Sequence, residues 1–166
     1  LAALTVRRNL DYRSELGLWL DTVAKRPGDP LAQANVGHAL LSQDKVREAL
    51  PYCLEAVRLD PSKPQPHYNL GLAFRQKGYY AEALREYRLA LDRGEDEDLV
   101  RQAMAEVHLV THDVSAALTL YDRLLERMPA SPKLWNERGV ALHQDGRAAD
   151  AAESYRRAIA ADRRYA

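Results

Sequence analysis

Apolar residues fall at helical spacing along almost the whole chain. In DYRSELGLWLDTVAKRPGDP, residues 11–30, Leu16, Trp19, Leu20 and Val23 recur at steps of three and four before Pro27, Gly28 and Pro30 end the run. From residue 30 onward the pattern becomes periodic. Ala49, Ala83, Ala117 and Ala151 are each 34 residues apart. Cys53, Tyr87, Tyr121 and Tyr155 keep the same step four residues later, and Ala56, Ala90, Leu124 and Ala158 keep it seven residues later. Upstream, Gly37, Gly71, Ala105 and Gly139 form a further column, and the register runs without insertion or deletion between residues 30 and 165.

A fixed period with small residues in two columns predicts a helical hairpin per period, crossing where the small residues meet. The expectation is that Gly37, Gly71 and Gly139 on the first helix face Ala49, Ala83 and Ala151 on the second. The larger columns, Leu40, Phe74 and Leu142 and then Tyr87, Tyr121 and Tyr155, are expected to fill the space between hairpins. Asp29-Pro30 and Ser131-Pro132 read as an N-cap followed by proline in the first turn, and Gly78 and Gly146 as turns inside hairpins. Pro51 falls inside a second helix and is expected to bend it locally. One period before Cys53 stands Trp19, and one before Pro61 stands Pro27, so residues 11–29 read as an unpaired capping helix, the second helix of an incomplete hairpin. Trp19 should pack on the first helix after residue 30. The prediction is nine helices and no β-sheet.

Twenty-four basic side chains balance 24 acidic ones, and 46% of residues are apolar, which describes one soluble folded unit. The interleaved charges leave no basic stripe for nucleic acid. No run approaches the roughly 20 apolar residues of a membrane helix. The chain begins at Leu1, and LAALTV followed by Arg7 and Arg8 reads as an N-terminal extension, residues 1–10, of a fragment of a longer protein.

Candidate chemistry is sparse. His108 and His112 stand four apart, a metal-ligand spacing, but HLVTH lacks the glutamate of the zinc-protease motif and a third ligand, so His108 reads as a packed residue. Cys53, the single cysteine, occupies the tyrosine column and reads as a small buried hydrophobe. GEDED, residues 94–98, reads as a solvated turn feeding the next helix, with docking of a basic partner as the alternative. No phosphate loop or paired-carboxylate motif is present. The expectations are therefore no enzyme, no cofactor and no metal.

Leu70-Gly71, Phe74, Ala83, Tyr87 and Ala90, with Trp135, Gly139, Ala151 and Tyr155 in the last period, resemble the tetratricopeptide repeat. The resemblance divides the chain into repeats at 30–63, 64–97, 98–131 and 132–165, the last reaching residue 166. Met104-Ala105 in place of Leu-Gly, His108 at the aromatic column, and Glu95 and Arg163 in place of the closing proline are departures. It implies a right-handed α-solenoid of antiparallel hairpins whose first helices line a peptide-binding groove. On this chain that face comprises Asn35, His38, Tyr68, Asn69, Leu72, Gln102, Glu106, Asn136 and Glu137. Asn35 and Asn69 resemble the start of the asparagine ladder of O-GlcNAc transferase, which holds a peptide backbone, whereas Ala103 and Glu137 depart from it. The Lys, Arg and Asn of the chaperone-type carboxylate clamp are missing. Glu106 and Glu137 would favour a ligand carrying Lys or Arg.

The implied function is a non-catalytic protein-interaction scaffold for a protein or peptide partner, with no nucleic acid and no direct membrane insertion. The alternative is a substrate-recruiting or assembly arm: residues 5–28 are similar to the segment preceding the repeats in TMTC-type and bacterial glycosyltransferase-like membrane proteins. That resemblance places the repeats outside the cytoplasm, while Arg7 and Arg8 beside a membrane helix favour the inside, so the compartment stays open. Apolar residues at 152–160 have no following hairpin, which points to continuation of the repeats or self-association through the C-terminal hairpin.

Overall fold

The computed structural model describes residues 15–162; the expected extension at 1–10 lies outside them. Among the described residues the chain is all α, with nine helices and no strand. They are α1 (Glu15–Lys25), α2 (Pro30–Leu41), α3 (Val46–Leu59), α4 (Pro64–Gln76), α5 (Tyr80–Asp92), α6 (Glu97–Val110), α7 (Val114–Arg127), α8 (Pro132–Gln144) and α9 (Ala148–Asp162). The chain forms two compact units, one up to Glu95 with α1 to α5 and one from Asp96 with α6 to α9.

Local chemistry sets the helix ends. Asp29 accepts from the backbone N–H groups of Leu31 and Ala32, and Pro30 occupies the first turn. Asp96, Asp113 and Ser131 cap α6, α7 and α8 in the same manner through Leu99, Ala116 and Leu134. The GEDED run is thereby used locally: Asp96 is the cap, while Glu97 pairs with Arg101 and Arg127, and Asp98 with Arg127. The helix α3 continues through Pro51, which is exposed to solvent.

In the three hairpins that carry a glycine in this column, the glycine meets a different partner from the one the sequence predicts. A methyl group on Gly71 would come within 2.5 Å of the Tyr87 ring, one on Gly139 within 2.5 Å of the Tyr155 ring, and one on Gly37 within 2.6 Å of Cys53 Sγ. Tyr87 and Tyr155 therefore lie over the glycines inside their own hairpins, while Tyr121, whose hairpin has Ala105 in place of the glycine, packs in one cluster with Leu134 and Ala141 of the next hairpin. Ala49 is only the second neighbour of Gly37, its carbonyl 3.7 Å from that position. The physical reason is size: the space left by a missing Cβ accepts the face of a ring, and an alanine methyl would leave it empty.

The turn inside each hairpin uses one left-handed residue. Asp44, Gly78, His112 and Gly146 have φ of 59°, 79°, 61° and 75° and stand one period apart. A second device joins each first helix to the turn before it. Gln33 Nε2 donates to the Pro27 carbonyl at 2.8 Å, and Trp135 Nε1 donates to the Pro129 carbonyl at 2.8 Å. His67 Nε2 lies 3.0 Å from the Pro61 carbonyl, with its Nδ1 2.7 Å from Glu86 Oε2. At the start of α6 these columns hold Glu95 and Arg101, and Arg101 pairs with Glu97 instead.

Trp19 packs, as the periodicity predicts, against the cluster formed by Val36, Leu40 and Cys53. It closes the open face of the first hairpin in unit 1.

Two substitutions test this account by urea denaturation. Gly71→Ala lowers stability by about 1–2 kcal/mol, because Tyr87 is fully buried and its ring has no room to retreat. Gly139→Ala costs less, because Tyr155 is half-buried and its ring has room to tilt. His112→Gly stabilises by about 1 kcal/mol, the scale of the left-handed penalty for a residue with a Cβ; no gain, or a loss, contradicts the strained-turn assignment.

Candidate functional site

The residues expected to bind a partner lie on the first helices of the hairpins, α2 and α4 in unit 1, and α6 and α8 in unit 2. In unit 1, His38 is exposed, and Asn35, Tyr68 and Leu72 are half-buried. Asn69 departs from its expected role. It is 1% exposed, and its Nδ2 donates to the Ala34 carbonyl on α2 at 3.0 Å, so the amide joins two first helices instead of reading a peptide. Its Oδ1 is sealed from solvent without a hydrogen-bond partner. Asn35, one period earlier, has no preceding first helix among the described residues to bond, which leaves its amide available.

Beside this face, Pro30, Leu31 and Ala34 of α2 and Pro64 and Pro66 of α4 wall an apolar pocket of about 430 Å³. Leu31 is 55% exposed at its edge. Three prolines make the walls stiff, so a side chain entering meets a surface that loses little entropy on binding. From the sequence Pro30 reads as a helix start while Pro64 and Pro66 go unassigned, so the pocket is not foreseen. The signal was Leu31, an apolar residue in the first turn that no hairpin partner needed.

In unit 2, Gln102, Glu106 and Glu137 are half-buried and Asn136 is exposed. Gln102 Nε2 donates weakly to Glu106 Oε1 at 3.5 Å. Burial is the main cause that holds the Glu137 carboxyl above the usual range; the Glu106 charge adds to it and Lys133 opposes it. The Tyr121 phenol is pushed up by burial first, then by Glu137 and Glu106. Tyr121 stands in the packing column that the sequence assigns it. Its ring does pack, but its hydroxyl lies within electrostatic reach of both carboxylates.

The other candidates take structural roles. His108 Nδ1 lies 3.1 Å from Asp113 Oδ2, and His112 forms the left-handed turn. Cys53 is buried, and burial pushes its thiol up to about 12, which makes it a poor nucleophile at neutral pH. Among the described residues no His, Cys, Asp and Glu group has the arrangement of a metal site.

A larger open pocket of about 710 Å³ in unit 2 surrounds Arg138. Arg138 stands at the column that holds Leu70, where its Nε bonds Asp122 at 2.7 Å and its Nη1 bonds the buried Ser154 hydroxyl at 2.8 Å. Arg157 covers the Trp135 ring at 4.8 Å. The charged groups of that pocket are largely satisfied by one another.

Helical hairpins repeated at a constant step define an all-α helical-repeat solenoid. The family pattern described as tetratricopeptide repeat matches residues 35–98 and 103–166, and the chain belongs to that family. It is similar to protein O-mannosyl-transferase Tmtc3 of Drosophila melanogaster, 38% identical over 86 residues, which is 52% of this chain and 9% of that protein. TPR repeat-containing thioredoxin TTL4 of Arabidopsis thaliana is 30% identical over 102 residues, 61% of this chain and 15% of that protein. The chain therefore spans a small part of the length of these relatives. Among solved structures, MamA superposes with a TM-score of 0.79 at 14% identity, covering 96% of this chain and 93% of that one. YrrB, described as a TPR protein with an unusual peptide-binding site, superposes with a TM-score of 0.71 at 20% identity over 87% of this chain and 74% of its own. These likenesses establish the fold.

The structural role of Asn69 has its own test. Asn69→Asp replaces an N–H donor with a carboxylate oxygen facing the Ala34 carbonyl and lowers stability by more than about 2 kcal/mol, whereas Asn69→Ala costs about 1 kcal/mol. Two equally mild changes in urea midpoint contradict the inter-helix bond.

Proposed function

We propose that this chain is a non-catalytic protein-interaction scaffold whose first-helix faces bind an extended segment of a partner protein. The observation that carries the reading is in unit 1, where the available Asn35 amide follows Ala34, a wall of the apolar pocket edged by Leu31. An amide side chain donates and accepts, so it serves the N–H and C=O groups of an extended backbone without preferring a sequence. The pocket supplies the preference, for an apolar side chain. Tyr68 and Leu72 on α4 extend the contact surface, and His38 borders it. Membership of a repeat family that binds peptides and proteins supports the same conclusion.

The similarity to the O-mannosyl-transferase favours a second reading of context: the repeats are a recruiting or assembly arm of a longer membrane protein whose chemistry lies elsewhere in its chain. No helix among the described residues is long and apolar enough to cross a membrane. Fractionation of the parent chain expressed at full length separates the readings, because membrane retention supports the arm and its absence removes it.

The binding reading is tested with a library of blocked, extended synthetic peptides, selected on the wild-type chain. Leu31→Asp or Asn35→Ala weakens the selected peptides about tenfold, a change of roughly 1.4 kcal/mol, while the exposed outer substitution Arg88→Ala leaves them unchanged. Equal affinities across these variants refute the assignment of the face.

A further inference from the structure

We propose that the proline-walled pocket of unit 1 is a receptor for a tryptophan side chain of the bound segment. The inference rests on the first-helix face being the binding face and names the residue that its pocket selects. Volume, wall chemistry and the charges of the α3–α4 turn each point to an indole.

The volume disfavours a small occupant. A cavity of roughly 150 Å³ already holds a benzene ring, and this pocket has about 430 Å³. A leucine side chain would leave space unfilled, and the walls around such space forfeit their dispersion contacts. The wall chemistry favours a flat ring. Pro30, Pro64 and Pro66 have fixed backbone φ and little side-chain freedom, so their faces are in place before a ligand arrives. In proline-rich peptide recognition the ligand brings the prolines and the groove brings the aromatic rings. Here the prolines form the wall, and the ring comes from the partner.

The α3–α4 turn adds two charges to the lining, Asp60 and Lys63. Lys63 is exposed and acts on Asp60 through its charge, while the hydrogen bonds to that carboxylate come from Ser62. Its ammonium can therefore lie over the face of a ring in the pocket, and indole gives the strongest contact of this kind. Asp60 has the opposite chemistry. Its Oδ1 accepts from the Ser62 hydroxyl at 2.6 Å and from the Ser62 backbone N–H at 3.0 Å. The hydroxyl first, then the N–H, hold the carboxyl below the usual carboxylate range. An ionised carboxylate only accepts, so a ligand group that meets its Oδ2 must donate. The indole N–H only donates, whereas leucine and phenylalanine offer no donor at all. Tryptophan thus combines a bicyclic apolar body with the single donor that this turn requires.

The test uses the whole chain, isotope-labelled for NMR, and three blocked tripeptides: acetyl-Gly-Trp-Gly-amide, its 1-methyltryptophan counterpart and its leucine counterpart. The tryptophan probe shifts the resonances of Leu31, Ala34 and Lys63 saturably, and the leucine probe binds roughly fivefold more weakly because it buries less apolar area. Methylating the indole nitrogen weakens binding about fivefold, the scale of one hydrogen bond. Lys63→Met weakens the tryptophan probe about threefold, the scale of an exposed cation–π contact, and leaves the leucine probe unchanged. Asp60→Asn keeps Oδ1 for Ser62 and turns Oδ2 into an amide N–H; it weakens the tryptophan probe and not the methylated one. Circular dichroism of both variants matches the wild type. Equal affinity for leucine and tryptophan, or no saturable shift at Leu31 and Ala34, overturns the receptor. A methylation effect that persists in Asp60→Asn overturns the contact with Asp60. Insensitivity of library-selected peptides to Leu31→Asp overturns the wider groove reading instead, so the failures are distinguishable.

Discussion

The close approach of a side chain on the second helix to a glycine backbone sixteen residues earlier, a tyrosine ring at Gly71 and Gly139 and the Cys53 sulfur at Gly37, is the constraint that shapes three of the four hairpins. At Gly71 and Gly139 a single methyl group would collide with the ring. Removing the Cβ costs helix propensity, on the order of 1 kcal/mol, and the buried aromatic face more than offsets it at roughly 1.5–3 kcal/mol. The ring also fixes the rotation of the second helix about its axis. Once that rotation is set, the alanine columns and the turn length follow, because each turn must bring the chain back with one left-handed residue. Where the ring is absent, at Cys53, the sulfur takes the same place at similar distance.

Much of this was legible in the sequence because a period repeated four times averages out local ambiguity. Helix number, the glycines of the hairpin turns and the docking of Trp19 all follow from columns that recur. Columns identify a face, however, without saying which of two adjacent columns receives the neighbour, and so the tyrosines were assigned to the space between hairpins. The burial of Asn69 was equally out of reach. Its amide is buried because a first helix precedes it, whereas Asn35, identical in type and column, lies where none is described. The same residue is structural in one copy and available in the next.

The candidate face shows a comparable division of roles. In unit 1 it is apolar and amide-bearing, walled by prolines. In unit 2 two carboxylates and a buried phenol replace those elements.

Cys53 carries a practical consequence. Its thiol is fully buried under the first hairpin, with proton affinity raised to about 12, so it is silent toward thiol reagents while the hairpin is closed. It is also the single cysteine of the chain. The rate at which a disulfide reagent reaches it therefore measures how often the first hairpin opens, giving a native chemical clock for local unfolding of unit 1 with no introduced label.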